Sequence, residues 1–275
     1  MKRSTSAVRL GGSRSIRTQK KNSYFPPQHG AWAFLALPLA LGATVSTWSP
    51  LFVLLAITWI AAYPMSYAAF GLVRAKRPQR FRAPLFTWAG IALLPAALLV
   101  IWRPWLLWIG LAYGVLLMVN LYYARRNDER ALANDGVFIL ECAGMVAVVW
   151  ALSAGEQSLT PPRLDSVPAH VLILTIICAL VLLSSTLHVK SLIRERRNPR
   201  YAFASRAFAV AALLASIGLG AWWGWPSGLW LIVPFTALAA RAFIVPGRQL
   251  RPGAIGVIEL VCFLTAVCAA ALATA

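Results

Sequence analysis

Residues 169–187 read AHVLILTIICALVLLSSTL, a stretch without a single lysine, arginine, aspartate or glutamate. As a helix it is about 28 Å long, which is close to the thickness of the hydrocarbon core of a bilayer. A surface helix of a soluble domain carries charged residues on one face, and this stretch has none. The sequence therefore predicts a transmembrane helix here.

Eight further stretches have the same character, so we predict an all-α, polytopic bundle of about nine spans. The predicted spans are residues 31–48, 51–73, 85–101, 105–123, 136–152, 169–187, 204–222, 229–243 and 255–274. The chain of 275 residues is 60% hydrophobic and 12% charged, and soluble domains carry about twice that share of charge. We expect one transmembrane domain over residues 23–275, preceded by a disordered basic cytoplasmic tail over residues 1–22.

Lysine and arginine alternate between the two sides of the predicted bundle. With the N-terminus inside, 24 of the 26 fall in cytoplasmic segments, and Arg103 and Arg163 are the exceptions. Cytoplasmic loops of membrane proteins are enriched in these residues, so the pattern predicts an N-in, C-out topology. The formal net charge of +18 then reflects topology and contact with anionic lipid head groups, and does not indicate nucleic acid.

Polar residues at the edge of a span are costly and often functional. The first cluster is Gln28 and His29, which follow two prolines and precede Gly30 at the start of the first span. His29 could bind an anion or shuttle a proton. The alternative is a solvated histidine at an interfacial helix start.

The second cluster follows the fourth span and contains Asn120, Arg126 and Arg130. If the helix continues, Asn120 and Arg130 share one face, and the two arginines lie one turn apart. Glu141 lies further on, inside the fifth span, and needs a partner. The adjacent acids Asp128 and Glu129 point to different helix faces, which argues against a shared metal ion.

The third cluster is His188, Lys190, Arg194 and Glu195, at the end of the sixth span. Lys190 and Arg194 share a helical face and could hold a phosphate or carboxylate, although they could also be topology charges. The fourth is Glu259, about one turn inside the last span, which needs a compensating cation from Lys190 or Arg194.

All four clusters lie at the predicted cytoplasmic end, so we expect them to converge on one polar cavity. The four cysteines lie in apolar stretches without a CxxC pair, so we interpret them as small buried side chains. The sequence predicts no metal site and identifies no cofactor.

These four stretches together resemble the YwiC-like family of bacterial membrane proteins. The resemblance covers residues 26 to about 260 in the order that the family shows. It rests on Gln28-His29-Gly30-Ala31-Trp32, the stretch from Asn120 to Asp135, the stretch from Val189 to Arg196, and Ile255-Gly256-Val257-Ile258-Glu259. It implies a multi-pass protein of the bacterial inner membrane and no particular activity.

The chain also resembles, more distantly, the UbiA-type intramembrane prenyltransferases. Those have nine helices and two Asp-rich cytoplasmic motifs that bind Mg²⁺ and a prenyl diphosphate. Here residues 65–82 contain no acid where the first motif would fall, and Glu195 is the one acid at the second position. Direct contact of Lys190, Arg194 and Arg126 with the anion would have to replace the metal.

Three functions therefore remain open. A transporter or channel would use His29, His188, Glu141 and Glu259 as a path for an ion or substrate. A lipid-processing or prenyl-transferring enzyme would hold an anionic or isoprenoid molecule and use His29 or Glu259 for proton transfer. The third is a membrane binding or assembly factor without turnover.

Overall fold

The computed structural model describes residues 24–27, 30–126, 128, 131–155, 157–248 and 250–275. Across these residues the fold is all-helical, as predicted. The helices are α1 (Gly30–Thr44), α2 (Leu51–Arg74), α3 (Arg82–Trp102), α4 (Leu106–Arg125), α5 (Leu132–Ala154), α6 (Ala169–Val189), α7 (Pro199–Trp223), α8 (Val233–Ile244) and α9 (Pro252–Thr274). The predicted tail, residues 1–22, lies outside the described residues.

Eight helical segments of the described chain are long and apolar enough to cross a membrane, and α1 is a shorter apolar helix of 15 residues. Large apolar side chains cover the outer faces of the bundle: Leu94 is 71% exposed and Phe203 is 74% exposed. Such surfaces require a lipid environment, because water would penalise them. The protein is therefore a multi-pass membrane protein whose outer helix faces contact the bilayer.

Helix α6 is the centre of the bundle. Val171, Ile173, Leu174 and Ile177 are at most 1% exposed. Helix α5 packs against α6 and α1, and α9 packs against α1 and α8. Helices α2, α3 and α4 lie on the α5 side, and α7 lies against α6 and α8. An uncharged stretch of the sequence thus forms the central helix, against which α1, α5, α7, α8 and α9 pack.

Consecutive helices run in opposite directions, which brings most basic residues to one end. The ion pair Lys190–Asp135 joins the end of α6 to the start of α5. At the opposite end, Trp223 Nε1 donates to the Ala273 carbonyl at 3.2 Å, joining the ends of α7 and α9. We call the end that contains Arg74, Lys190 and Arg194 the basic end.

Several helix boundaries differ from the prediction, and three of them bear on the site and its surroundings. Helix α1 ends at Thr44, where the Thr44 and Ser46 hydroxyls bond to carbonyls of the last turn, so the first span is shorter than predicted. Helix α4 ends at Arg125, two residues beyond the predicted span, so the condition for a helical face that runs on from Asn120 is not met. Helix α8 follows the 3₁₀ segment Ser227–Ile232, which places Pro234 in a first turn, where its missing N–H costs nothing.

Helices α1 and α5 pack most closely at Gly42. A Cβ atom at this position would lie 2.6 Å from Cβ of Val149, closer than two carbons can approach. In lipid, where the hydrophobic effect does not drive helices together, small residues allow the close contacts that hold a bundle.

Candidate functional site

A cavity of about 1130 Å³ lies between α1, α2, α4 and α5 and extends to the basic end. The cavity exists because α1 begins deep in the bundle and does not reach the basic end. The Trp32 ring, near the start of α1, makes an edge-to-face contact with Tyr63 at 5.4 Å. Tyr63 precedes the end of α2 at Arg74 by about 16 Å of helix. Helix α1 therefore begins well inside the bundle and leaves space between its neighbours.

The segment before α1 forms part of the wall of this space. Phe25, Pro26 and Pro27 line the cavity. Trp88 of α3 holds the segment, because its Nε1 donates to the Tyr24 carbonyl at 2.8 Å and its ring contacts Phe25. Irregular backbone at membrane depth is tolerated where it lines a cavity, and this segment meets that condition.

Aromatic side chains form the deeper walls of the cavity. Trp59 Nε1 donates to the Leu35 carbonyl at 3.0 Å, and its ring lies edge-on to Tyr113 at 5.7 Å. Tyr63 and Phe138 also line the space, with ring centroids 6.5 Å apart. These rings give the inner part of the cavity an apolar character with a few polar atoms.

One polar pair lies in this aromatic region. Asn120 Nδ2 donates to Oε1 of Glu141 at 3.0 Å, and the Tyr113 hydroxyl donates to the backbone carbonyl of Glu141 at 2.6 Å. Asn120 is 7% exposed, and its Oδ1 atom has no hydrogen-bond partner. The partner that Glu141 requires is thus a neutral amide from α4.

A second acid of α5 lies nearer the basic end. Asp135 forms an ion pair with Lys190, which is 5% exposed. Residues Lys190–Arg194 continue α6 as a π-helical turn, closed by the Glu195 N–H, which donates to the Lys190 carbonyl at 2.8 Å. Such turns widen a helix and often occur at functional sites. Arg194 follows on this turn and lines the cavity with Asp135.

Arginines are the charged residues at the outer part of the cavity. Arg74, Arg80 and Arg194 all line it and are all exposed. The Arg80 guanidinium lies 4.7 Å from the centre of the Phe81 ring, which limits its orientations. The cavity therefore combines a cationic outer zone with an aromatic inner zone.

A separate polar cluster lies between α6, α7, α8 and α9. Arg241 pairs with Glu259 and also donates through Nη2 to Ser184 at 3.1 Å. His188 Nδ1 lies 3.3 Å from the Ser205 hydroxyl. All five residues are buried, and they are not among the residues that line the cavity.

The predicted site residues consequently divide into several groups. Asn120 and Arg194 line the cavity, and Lys190 reaches it through Asp135. His188 and Glu259 belong to the separate cluster. Glu259 pairs with a basic residue as expected, but the partner is Arg241 instead of Lys190 or Arg194, because α8 packs directly on α9.

The remaining predicted residues either lie at the surface or fall outside the residues that the structure describes. Arg126 is exposed and stacks on Tyr122 at 4.7 Å, because α4 ends beside it. Glu195 lines a surface groove formed by residues 193–199. Gln28, His29 and Arg130 lie outside the described residues. The prediction that all four clusters form one site is therefore wrong for the described residues: they form the cavity and a separate buried cluster.

Several residues of the site were not predicted. The aromatic walls were not predicted because Trp59, Tyr63, Tyr113 and Phe138 resemble any other membrane-helix aromatics in the sequence. Arg241 is one of the 24 basic residues attributed to the cytoplasmic side, although the predicted span 229–243 includes it, and it is 5% exposed inside α8. A usable signal existed for Arg241, since apolar residues flank it on both sides.

The fold and the cavity define a polytopic helical membrane protein with an internal, basic-ended polar cavity. The chain belongs to the YwiC-like protein family, whose sequence pattern matches residues 25–150. The resemblance drawn from the four motifs is thus confirmed.

Two bacterial relatives are similar over most of the chain. Uncharacterized protein YwiC of Bacillus subtilis strain 168 is 30% identical over 249 residues, which cover 88% of this chain and 95% of that protein. An uncharacterized protein of Haemophilus influenzae is 27% identical over 238 residues, which cover 84% and 90%. No solved structure is significantly similar.

Proposed function

We propose that this protein binds an amphipathic molecule with an anionic head group in the cavity and carries it across the bacterial inner membrane. The observation that carries the proposal is the division of the cavity into an arginine-lined outer part and an aromatic inner part. We further propose that the basic end faces the cytoplasm, because 24 of the 26 basic residues fall on that side of the predicted topology.

The head group lies at Arg74, Arg80 and Arg194 in this proposal. Guanidinium groups bind phosphate and carboxylate through paired N–H donors, which supplies both charge and geometry. Asp135 lines the same cavity as these arginines, and its charge is offset by its ion pair with Lys190. Surface arginines at the same end, including those of the groove over residues 193–199, contact anionic lipid head groups.

The apolar part of the ligand lies against Trp59, Tyr63, Tyr113 and Phe138. The cavity runs from Arg74 towards Trp59 along α2, a distance of about 22 Å of helix. That depth suits a hydrocarbon chain better than a small inorganic anion, which would gain nothing from the aromatic walls. Both a membrane phospholipid and an isoprenoid diphosphate combine an anionic head group with a hydrocarbon chain.

A binding titration tests the proposal and distinguishes the two sources. Purified protein in detergent is titrated with farnesyl diphosphate and, separately, with short-chain phosphatidylglycerol, while farnesol and inorganic diphosphate test each half of the ligand. We expect one of the two amphiphiles to bind about tenfold or more tightly than either half alone. Equal weak binding of all four would contradict the proposal.

Matched arginine variants locate the binding site. Arg194→Ala removes a cavity arginine, whereas Arg200→Ala removes an exposed arginine at the start of α7 that does not line the cavity. We expect about tenfold weaker binding in the first variant and parental binding in the second. The same loss in both would indicate nonspecific attraction to positive charge.

A second candidate is a lipid-processing or prenyl-transferring enzyme, which the aromatic walls favour because they suit an isoprenoid chain. Reconstituted vesicles separate the two functions. Movement of an intact fluorescent amphiphile between leaflets supports transport, and conversion of farnesyl diphosphate into a new product supports the enzyme. If binding occurs with neither, the protein is a binding factor without turnover.

A further inference from the structure

Three acids lie in the membrane helices around the polar clusters, and they are compensated in different ways. Asp135 pairs with Lys190, and Glu259 pairs with Arg241. Glu141 has no ion-pair partner among the described residues, and its side chain accepts a hydrogen bond from the neutral amide of Asn120. An isolated carboxylate at this depth is costly, so a compensating positive charge is expected.

Glu141 also lies where such a charge can reach it. It lies in α5, which starts at Leu132, about 13 Å along the helix from that start, and its side chain lines the cavity that extends to the basic end. A structural acid sealed in the core has no such access. Glu141 is therefore both uncompensated within the described chain and accessible from the outer part of the cavity.

Asn120 provides a second, independent observation. Its side chain is more than nine-tenths buried, it lines the same cavity, and its Oδ1 atom has no partner. Buried amide oxygens are normally satisfied, so this oxygen indicates that a donor or cation is missing. Together with the Glu141 carboxylate it makes a pair of oxygen ligands on adjoining helices.

We infer that Glu141 and Asn120 form a binding site for a monovalent positive charge deep in the cavity. The charge has three possible sources: a proton, a sodium ion, or the ammonium group of an organic molecule. The faces of Trp59, Tyr63 and Tyr113 can stabilise the last of these through cation–π contacts. The site lies in the same cavity as the proposed anion site but does not depend on the arginines.

The surroundings of Glu141 supply no competing cation at its own depth. Within its described length, Gly30–Thr44, α1 contributes no titratable side chain. The titratable and charged groups that line the cavity with Glu141 are Tyr63, Tyr67 and Arg74 of α2, Arg80 between α2 and α3, Tyr113 of α4, Asp135 of α5, and Arg194 beyond α6; Cys142 of α5 and Cys178 of α6 lie buried nearby. The cations among these groups, Arg74, Arg80 and Arg194, are all exposed at the basic end.

Reaction with a hydrophobic carbodiimide tests this site in the intact protein, without any anionic ligand. The reagent adds to a protonated carboxyl group, and peptide mass spectrometry locates the product. We expect labelling at Glu141 that falls at least about tenfold as the pH rises from about 5 to about 9. Protection by sodium chloride identifies a sodium site, and protection by tetramethylammonium identifies an ammonium site. If neither protects, the charge is a proton.

Two Glu→Gln variants provide the control. Glu141→Gln keeps the size of the side chain, should abolish the labelling at this position, and should reduce the shift of the melting temperature with pH, sodium or tetramethylammonium. Glu195 lies outside this cavity, so the Glu195→Gln variant should show the same labelling of Glu141 and the same shifts of melting temperature as the parent. The inference is overturned if Glu141 stays unlabelled throughout, or if Glu141→Gln melts and responds like the parent. Neither result would affect the arginine titration.

Discussion

Arg241 on α8 and Glu259 on α9 form an ion pair inside the bundle, with 3% and 8% of their side chains exposed. Arg241 also reaches Ser184 on α6, so three helices meet at this pair. Removing one member leaves an uncompensated charge in an apolar environment, which costs more than the pair itself contributes. The pair therefore fixes the relative positions of α6, α8 and α9.

A double-mutant cycle at Arg241 and Glu259 should show strong coupling. Glu259→Leu alone strands the arginine, and we expect a loss of about 3–5 kcal/mol in the free energy of unfolding. Adding Arg241→Leu should recover part of that loss, because no charge is then left alone. Unfolding in mixed detergent micelles measures the free energy of unfolding of the parent, the two single variants and the double variant. Simple additivity of the two single changes would contradict the buried pair.

The ion pair between Asp135 and Lys190 allows a matched comparison of two aspartates. Asp135→Ala removes the carboxylate that pairs with the buried Lys190, and we expect a loss of about 3 kcal/mol or more. Asp128→Ala changes an exposed aspartate in the turn before α5, where we expect less than about 0.5 kcal/mol. Thermal unfolding measures the stability of both variants. Equal losses would contradict a stabilising ion pair between Lys190 and Asp135.

Two glycines test the packing of α1 on α5. Gly42→Ala places a methyl group 2.6 Å from Cβ of Val149, and overpacking of this kind costs about 1–3 kcal/mol. Gly218→Ala, in α7, meets nothing within 4 Å and should be neutral or stabilising, because alanine favours helix over glycine. The melting temperature should therefore fall in Gly42→Ala and stay the same or rise in Gly218→Ala. A parental melting temperature for Gly42→Ala would mean that α1 and α5 are further apart.

The topology prediction is tested with reporters at both ends of the chain. An odd number of spans places the termini on opposite sides, and the basic residues place the N-terminus in the cytoplasm. A phosphatase fused after Ala275 should be active, and one fused at the N-terminus should be inactive. Activity at both ends or at neither end would change the number of spans by one.

Most of the helices could be predicted from the sequence, because uninterrupted apolar stretches of this length have few alternatives in folded proteins. The ion pair of Glu259 was predicted from the cost of an isolated charge in lipid. Its partner was not, since Arg241 reads equally well as a loop charge. Packing between segments that are distant in the chain decides which helices are neighbours. A single sequence shows no local pattern from which these neighbours can be predicted.

The division of the polar residues could not be predicted for a similar reason. His188 and Lys190 are only two residues apart, yet His188 contacts Ser205 of α7 and Lys190 pairs with Asp135 of α5. Successive residues of a helix point about 100° apart, so side chains two positions apart point in nearly opposite directions and can belong to different clusters. The start of α1 was predicted to within one residue, but its depth in the bundle, which creates the cavity, depends on packing against α2 and could not be predicted.

Native mass spectrometry of the purified protein tests the central claim most directly, namely that the cavity holds an anionic amphiphile. We expect one such molecule to remain bound per protein, to be lost from Arg194→Ala, and to be retained by Arg200→Ala. Its mass after release identifies it as a phospholipid or an isoprenoid diphosphate. If all three proteins carry only bulk membrane lipids in the same proportions, the claim is contradicted.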